Sequence, residues 1–338
     1  LTAILNETRI KQDIQEQYKI NMKRIGVVLF NLGGPDTLDA VEPFLANLFN
    51  DRDIFKLPFQ KHLSKFIAKK RAPKVIKEYE LIGGSSPIGC WTELQARMLK
   101  DKLVKMNYEA DVHIAMRYWH PLTESAAKQI EQGNYDKVIL LPLYPHFSVS
   151  TTGSSFNEWK RVFKGDESKL IFINDYYENE KYASAINQRI DQGLLQFPEE
   201  IRNDVQLVFS AHGTPVSYVK KGDPYSHQIK KTIALVMKQR NNSHEHHECF
   251  QSKVGPVKWL EPATDKMIEE LAANNKNHLL IIPISFVSDH VETSFELNIE
   301  YRHIAEKAGI KNYIVMTGLN DSQLFVDALA ELVENALN

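Results

Sequence analysis

Lys137-Val138-Ile139-Leu140-Leu141 and Leu279-Leu280-Ile281-Ile282 are apolar without alternation. A strand with one wet face alternates apolar and polar residues, whereas a strand covered by helices on both faces does not. These two runs therefore predict parallel sheets in the interior of an α/β protein. Working outward from them, short β-rich runs are read at 25–31, 111–117, 137–143, 169–173, 205–211, 249–254, 278–285 and 312–316. Helical patterns separate them near 37–49, 60–70, 73–81, 88–106, 123–132, 153–164, 180–195, 225–239, 263–273, 292–307 and 321–336. Strand and helix alternating in this order is the signature of parallel sheets with crossover helices.

Eight strands divide into two open sheets of about four, each doubly wound. The expected fold class is α/β, with two Rossmann-like domains facing each other across a cleft and ligands bound where the carboxyl ends of the strands open onto it. A length of 338 residues suits two domains of roughly 150 residues. The expected division is an N-terminal extension at 1–21, a first domain at 22–177, a second at 178–318, and a C-terminal helix at 319–338 packing back on the first domain. No Gly/Pro/Ser-rich linker lies between 165 and 185, so the boundary near 177 rests on the strand pattern alone. Residues 1–21 lack an apolar segment and carry Glu7, Asp13 and Glu16, which argues against a secretory signal or an acid-poor transit peptide. That stretch reads as an extension upstream of Met22.

Lys and Arg number 41 and Asp and Glu 43, a net charge of -2, so nothing draws the whole molecule to nucleic acid. The only cysteines, Cys90 and Cys249, are far apart and in no CxxC pattern. That fits a reducing compartment, here expected to be the cytoplasm, and excludes a disulfide framework or a cysteine-built metal site. Any metal chemistry must then use histidine and carboxylates. The stretch Leu279 to Val287 is interrupted by Pro283 and is about half the ~20 residues that span a bilayer. Gly33-Gly34-Pro35 follows a strand but lacks the GxGxxG pattern, and Pro35 removes a donor, which argues against dinucleotide binding. Arg240 to Glu248 reads as a polar surface loop, and its His244-Glu245-His246-His247-Glu248 run as an adventitious metal binder at most.

Chemistry concentrates at two places. The strand 205–211 runs into Ser210-Ala211-His212-Gly213-Thr214-Pro215, where Gly and Pro end it, so His212 stands at a carboxyl end where an α/β cleft opens. Taken alone, such a histidine is more often structural. The second place is Ser288-Asp289-His290-Val291-Glu292, leading into a helix with Glu296 and Glu300. Glutamates at i, i+4 and i+8 share one α-helical face and repel one another by a few tenths of a kcal/mol per pair. Solvent, Arg302 and His303 offset this in the bland reading. In the sharper one the row is a cation path, since oxygen and imidazole donors suit a divalent iron better than a tightly held soft metal.

With these residues in view, the chain after Met22 resembles the ferrochelatases. The agreement runs in order through Asn31-Leu32-Gly33-Gly34-Pro35, Ile82-Gly83-Gly84-Ser85-Ser86-Pro87-Ile88, Arg117-Tyr118-Trp119-His120-Pro121, and Tyr144-Pro145 with Ser150-Thr151-Thr152-Gly153-Ser154-Ser155. It continues through Ser210 to Pro215, Gln251-Ser252-Lys253-Val254-Gly255-Pro256 with Trp259-Leu260, and Ser288-Asp289-His290 with Glu292-Thr293. The resemblance implies a two-lobed chelatase that inserts Fe(II) into protoporphyrin IX, forms protohaem and releases two protons. Iron is then a substrate, and no permanently bound cofactor or iron–sulfur cluster is expected, there being no cysteine after Cys249. A monomer is the expected state.

By the same resemblance, His212 and Glu292 face the porphyrin centre as catalytic pair and candidate iron ligands, and His290, Glu296 and Glu300 serve metal or proton traffic. Asn298 replaces an acid that some relatives carry. Leu32, Tyr144, Trp259 and Phe286 would wall the porphyrin, while Arg71, Lys74, Ser86 and Ser252 would hold its propionates. Arg117 is also a matched substrate-binding position, with an internal ion pair as its alternative role. The chemistry asks for such groups: two pyrrole protons must leave, and bending the ring exposes its nitrogen lone pairs at about 1–5 kcal/mol of strain. An imidazole that titrates around neutrality accepts a proton, and an ionised carboxylate stabilises the arriving cation.

Between Ile54 and Lys77 there is no acidic residue, while Lys56, Lys61, Lys65, Lys69, Lys70, Arg71, Lys74 and Lys77 interleave with Phe55, Leu57, Phe59, Leu63, Phe66 and Ile67. A basic amphipathic stretch of this kind lies in a membrane interface or covers a core with a solvated face. The resemblance places it at the lip of the active site and so favours peripheral membrane association. Two alternatives stay open at this level: a haem or metal carrier without turnover, and a chelatase for coproporphyrin or cobalt. The Asn31 to Pro35 block and the long lip resemble the protoporphyrin-type branch.

Overall fold

In the computed structural model, residues 24–253 and 255–338 are described; the extension expected at 1–21 lies outside them. The chain runs β1 (Arg24–Asn31), α1 (Val41–Phe49), α2 (Gln60–Leu81), α3 (Ile88–Lys105), β2 (Glu109–Met116), α4 (Thr123–Gln132) and β3 (Lys137–Pro142). A π-turn (Val149–Gly153), α5 (Ser154–Val162) and β4 (Leu170–Phe172) complete the first sheet. The second half comprises α6 (Glu180–Leu194), β5 (Gln206–His212), α7 (Val216–Lys220), α8 (Tyr225–Gln239), β6 (His246–Gln251), α9 (Thr264–Ala273) and β7 (His278–Pro283). It ends with a π-helix (Glu292–Glu300), α10 (Tyr301–Ala308), β8 (Asn312–Val315) and α11 (Gln323–Leu337).

The sheets are parallel and share one topology, β2-β1-β3-β4 and β6-β5-β7-β8. In each, the first strand is central and the chain leaves it in opposite directions, which creates a switch point at its carboxyl end where α/β proteins bind ligands. Asn31, at the end of β1, and His212, at the end of β5, stand at these two points. The apolar runs behave as expected of doubly covered strands: Leu279, Leu280, Ile281 and Ile282 are all fully buried, as are Ile139, Leu140 and Leu141.

One face of each sheet contributes to a single shared core. Val27 and Leu29 of β1 join Leu207 and Phe209 of β5 through Leu99 of α3, Ile190 of α6 and Leu329 of α11. The outer faces are separate, with Phe30 and Leu140 packed against Phe156 and Trp159, and Val208 and Ile281 against Ile268. Helix α11 touches both α3 and α6, and Lys102 pairs with Asp327 at 2.8 Å. Burying these wedged helices between the sheets couples the two halves, since apolar area removed from water stabilises by ~25 cal/mol per Å².

Three local expectations are corrected. The helices read at 60–70 and 73–81 are one helix, α2, with Pro73 inside it. Ser64, Ala68, Ala72 and Tyr79 are buried along it, so packing on both sides of the proline outweighs the backbone hydrogen bond that proline removes. His246, His247 and Glu248, read as loop, begin β6 by pairing with Leu207, Val208 and Phe209. The α-helix read at 292–307 opens as a π-helix, with consequences for the site. Among the described residues no helix is long and apolar enough to cross a membrane.

Candidate active site

His212 is the last residue of β5. Gly213 follows because a Cβ there would lie 2.7 Å from the Gln251 carbonyl oxygen, so any larger residue would push the strand end off its neighbour. The His212 backbone is held on both sides, its N–H donating to Ser285 Oγ at 3.0 Å and its carbonyl accepting from the Tyr225 hydroxyl at 3.0 Å. Its imidazole Nδ1 stands 2.9 Å from Glu292 Oε2. Side-chain exposures of 38% and 24% leave both groups reachable from solvent.

Glu292 opens the π-helix. The wider turn alters the single row of glutamates drawn from an α-helical count. Glu296 is taken up by β6's end: Ser252 N–H donates to its Oε1 at 2.8 Å, Ser252 Oγ–H and Gln251 donate to Oε2, and Tyr301 donates to Oε1 at 2.9 Å. Asn298 and Glu300 are exposed. π-helical turns occur disproportionately at functional sites, and here the turn brings Glu292 to a histidine while Glu296 meets the left-handed Ser252 (φ 64°).

His290 is buried, and its Nδ1 is 3.1 Å from the Ser288 carbonyl. A carbonyl only accepts, so Nδ1 carries a proton, and Nε2 is the nitrogen 3.7 Å from Glu292 Oε2. Phe286 lies between the histidines, with ring centroids 6.2 Å from His212 and 4.4 Å from His290. The charges interlock. Burial disfavours the His212 imidazolium, but the Glu292 carboxylate outweighs it and holds the imidazole pKa above its ordinary value. Burial likewise works against ionised Glu292, yet His212 and His290 hold its carboxyl well below the usual range. Glu296 goes the other way, raised by burial and by the Glu292 charge despite the Ser252 and Tyr301 hydrogen bonds. Burial and the neighbouring charges thus push the two carboxyls in opposite directions. Among the described residues no group of three or more His, Cys, Asp or Glu side chains is gathered as a metal cage.

The family profile of the ferrochelatases matches residues 24–337. The chain belongs to the ferrochelatase family. The ferrochelatase of Nostoc sp. is 45% identical over 325 residues, covering 94% of this chain and 83% of that one. The ferrochelatase of Geotalea uraniireducens is 44% identical over 321 residues, covering 94% and 99%. Among solved structures, SirB from Bacillus subtilis with Fe3+ superposes with a TM-score of 0.56 at 12% identity, over 93% of this chain and 96% of that one. A multi-domain protein from Deinococcus radiodurans with structural similarity to chelatases gives 0.53 at 11%, over 92% and 55%. These two show a shared fold. The ferrochelatase family inserts iron into porphyrin in haem synthesis, a metal-chelatase reaction of the lyase class, and that is the activity of this chain.

The remaining residues expected at the site from the sequence fall on both halves. Trp259 pairs with Pro215 and sets its ring edge beside Gly213, and its indole N–H is buried without a partner among the described residues. Tyr144 is half-buried just beyond β3, with burial raising its phenol pKa. Leu32 packs with Trp119 and Val291 in the cluster under α1 and α2, which carries the lip's packing to the residue before Glu292. Ser86 is buried and donates its N–H to the Pro35 carbonyl. Arg71 is exposed above Phe49, 5.6 Å from the ring centroid; Lys74 is exposed and 3.6 Å from Glu78. Arg117 makes an internal ion pair, 3.0 Å from the buried Asp51, and also donates to Ser154. Asp51, Tyr225, Ser285 and Tyr301 escaped the sequence reading, because nothing in their neighbourhood distinguishes an anchoring polar residue from a solvated one.

Proposed function

We propose that the porphyrin is protoporphyrin IX, with His212 as the acceptor of pyrrole protons and Glu292 as the metal-side ligand. The observation that carries this reading is the 2.9 Å contact between His212 Nδ1 and Glu292 Oε2. Glu292 engages one imidazole nitrogen and so leaves Nε2 to do the basic work, the orienting role that a carboxylate plays for many catalytic histidines. Glu292 Oε2 takes the hydrogen bonds on this carboxylate, and Oε1 accepts none among the described residues, which leaves an oxygen for the cation. Fe(II) enters as two pyrrole N–H protons leave, each accepted in turn by His212 and passed on to water before the next, so charge and protons balance. Glu296, with its raised pKa, is a second station for the released proton.

Leu32, Tyr144, Trp259 and Phe286 supply the apolar walls in this reading, and Arg71, Lys74, Ser86 and Ser252 the polar positions for propionates, whereas Arg117 is taken by its internal ion pair with Asp51. Porphyrin arrives across the lip. Phe59 and Phe66 are 87% and 66% exposed, flanked by exposed Lys61, Lys65, Lys69 and Lys70, a combination suited to an anionic lipid surface. Cys90 and Cys249 are both free, in keeping with a reducing compartment such as the cytoplasm.

The test is an anaerobic assay with ferrous iron and two porphyrins. Protoporphyrin is expected to turn over faster than coproporphyrin, and the reverse order would overturn the substrate assignment. His212→Ala is expected to abolish insertion while porphyrin still quenches protein fluorescence; near-normal turnover would remove His212 from its role.

A further inference from the structure

The loop after β3 and the first turns of α8 are laced together by polar contacts that the chemistry above does not use. His146 Nε2 is 2.9 Å from Thr232 Oγ1, and the Phe147 N–H donates to Gln228 at 2.6 Å. Asp223, 8% exposed, is linked to the reacting pair through Tyr225. Its Oδ2 accepts from Ser148 Oγ at 2.9 Å and from the Val149 N–H at 2.8 Å, both on the first-sheet side. Its Oδ1 accepts from the Tyr225 N–H at 3.0 Å, and the Tyr225 hydroxyl donates to the His212 carbonyl at 3.0 Å.

We propose that Asp223 is a positioning residue for iron insertion: it ties the wall following β3, where Tyr144 lies, to the strand end that carries His212. The inference rests on the role assigned to His212 above. A porphyrin gripped between the two halves is bent only if its walls hold a set spacing, and displacement of a reacting group by ~1 Å costs about 100-fold in rate. A carboxylate is the one short side chain that suits the place. Both of its oxygens accept, so an asparagine turned either way would set its NH2 against the Val149 or the Tyr225 N–H.

The experiment compares Asp223→Asn, Ser148→Ala and Tyr225→Phe in the full chain. Porphyrin affinity, kcat, thermal unfolding and the out-of-plane resonance Raman bands of bound free-base porphyrin are measured. Asp223→Asn and Tyr225→Phe are expected to lower kcat by ~10- to 100-fold, leave porphyrin KM within about threefold and weaken the out-of-plane bands. Ser148→Ala, which removes one of three donors, falls between them and the unaltered protein. A purely structural role would lower thermal stability without changing the Raman bands of the protein that remains folded. If Asp223→Asn does not fold, Tyr225→Phe decides, since it deletes a single hydroxyl. Unchanged kcat and Raman bands in Tyr225→Phe, with His212→Ala inactive, overturn the bridge alone. Near-normal turnover in His212→Ala overturns the reading on which it rests.

Discussion

Nδ1 of His212 and Oε2 of Glu292 lie 2.9 Å apart although 80 residues separate them in the chain. One comes from the end of the second sheet's central strand, the other from the first residue of a π-helix. Each shifts the other's proton affinity toward its charged form.

That coupling sets a pH dependence. If His212 is the proton acceptor proposed above, insertion needs its neutral form, and kcat/KM is expected to fall as pH drops through the raised imidazole pKa. Replacing Glu292 by Gln removes the charge that raises it, so the acid limb of the residual activity should move to lower pH. A pH–rate profile checks this, and a limb that stays in place or moves upward contradicts it. The linkage to stability has two signs. The raised His212 stabilises fully below the unfolded imidazole value of 6.5 and less as pH rises through its folded value, whereas the lowered Glu292 stabilises above 4.5 and loses that as pH falls.

His146 makes the fold acid-sensitive. Complete burial lowers its pKa from 6.5 to about 3, and it stands edge-on to the rings of Tyr182 and Tyr225. Between these values the unfolded chain binds a proton that the folded one does not, so stability is full above 6.5 and declines as pH falls toward 3. The expected loss at the bottom of that window is roughly 4 kcal/mol. Urea unfolding followed from pH 7 to pH 4 should show a decline that His146→Gln reduces; equal slopes for the two proteins would contradict it.

Arg117 and Asp51 form a buried pair, with side-chain exposures of 11% and 0%. The Tyr118 hydroxyl and Ser154 Oγ also donate to Asp51. Asp51→Ala removes the nearer carboxylate from Arg117, leaving Glu158 at 3.7 Å, and is expected to cost about 3–5 kcal/mol, read as a lower urea midpoint. Since Asp51 follows α1, the same change should loosen the lip's attachment and raise hydrogen exchange in α2. A cost below about 1 kcal/mol, the range of a surface pair, would remove this anchor.

At the lip, Phe66→Asp should abolish co-sedimentation with liposomes rich in anionic lipid. Lys69→Glu with Lys70→Glu should weaken it, and salt should weaken the unaltered protein's binding, because charge draws the surface in and apolar burial holds it. Absence of lipid binding at low salt would refute the membrane reading.

The parallel sheets were legible in the unalternating runs at 137–141 and 279–282, because a strand's burial on two faces is written into its own residues. His212 at a strand's end was legible for the same kind of reason, since Gly213 and Pro215 mark the end locally. What could not be read depended on distant partners. The periodicity of 292–307 does not separate an i→i+4 helix from an i→i+5 one; Ser252 and Tyr301 holding Glu296, and His212 holding Glu292, accompany the wider turn. Pro73 signals a break, yet the buried row from Ser64 to Tyr79 carries the helix through it. The run from His246 reads as loop until Leu207 and its neighbours offer backbone partners. Strand, helix and turn propensities act over a few residues, whereas the shared core, the π-helix and the Asp223 bridge are contacts between elements that meet only after the chain has folded.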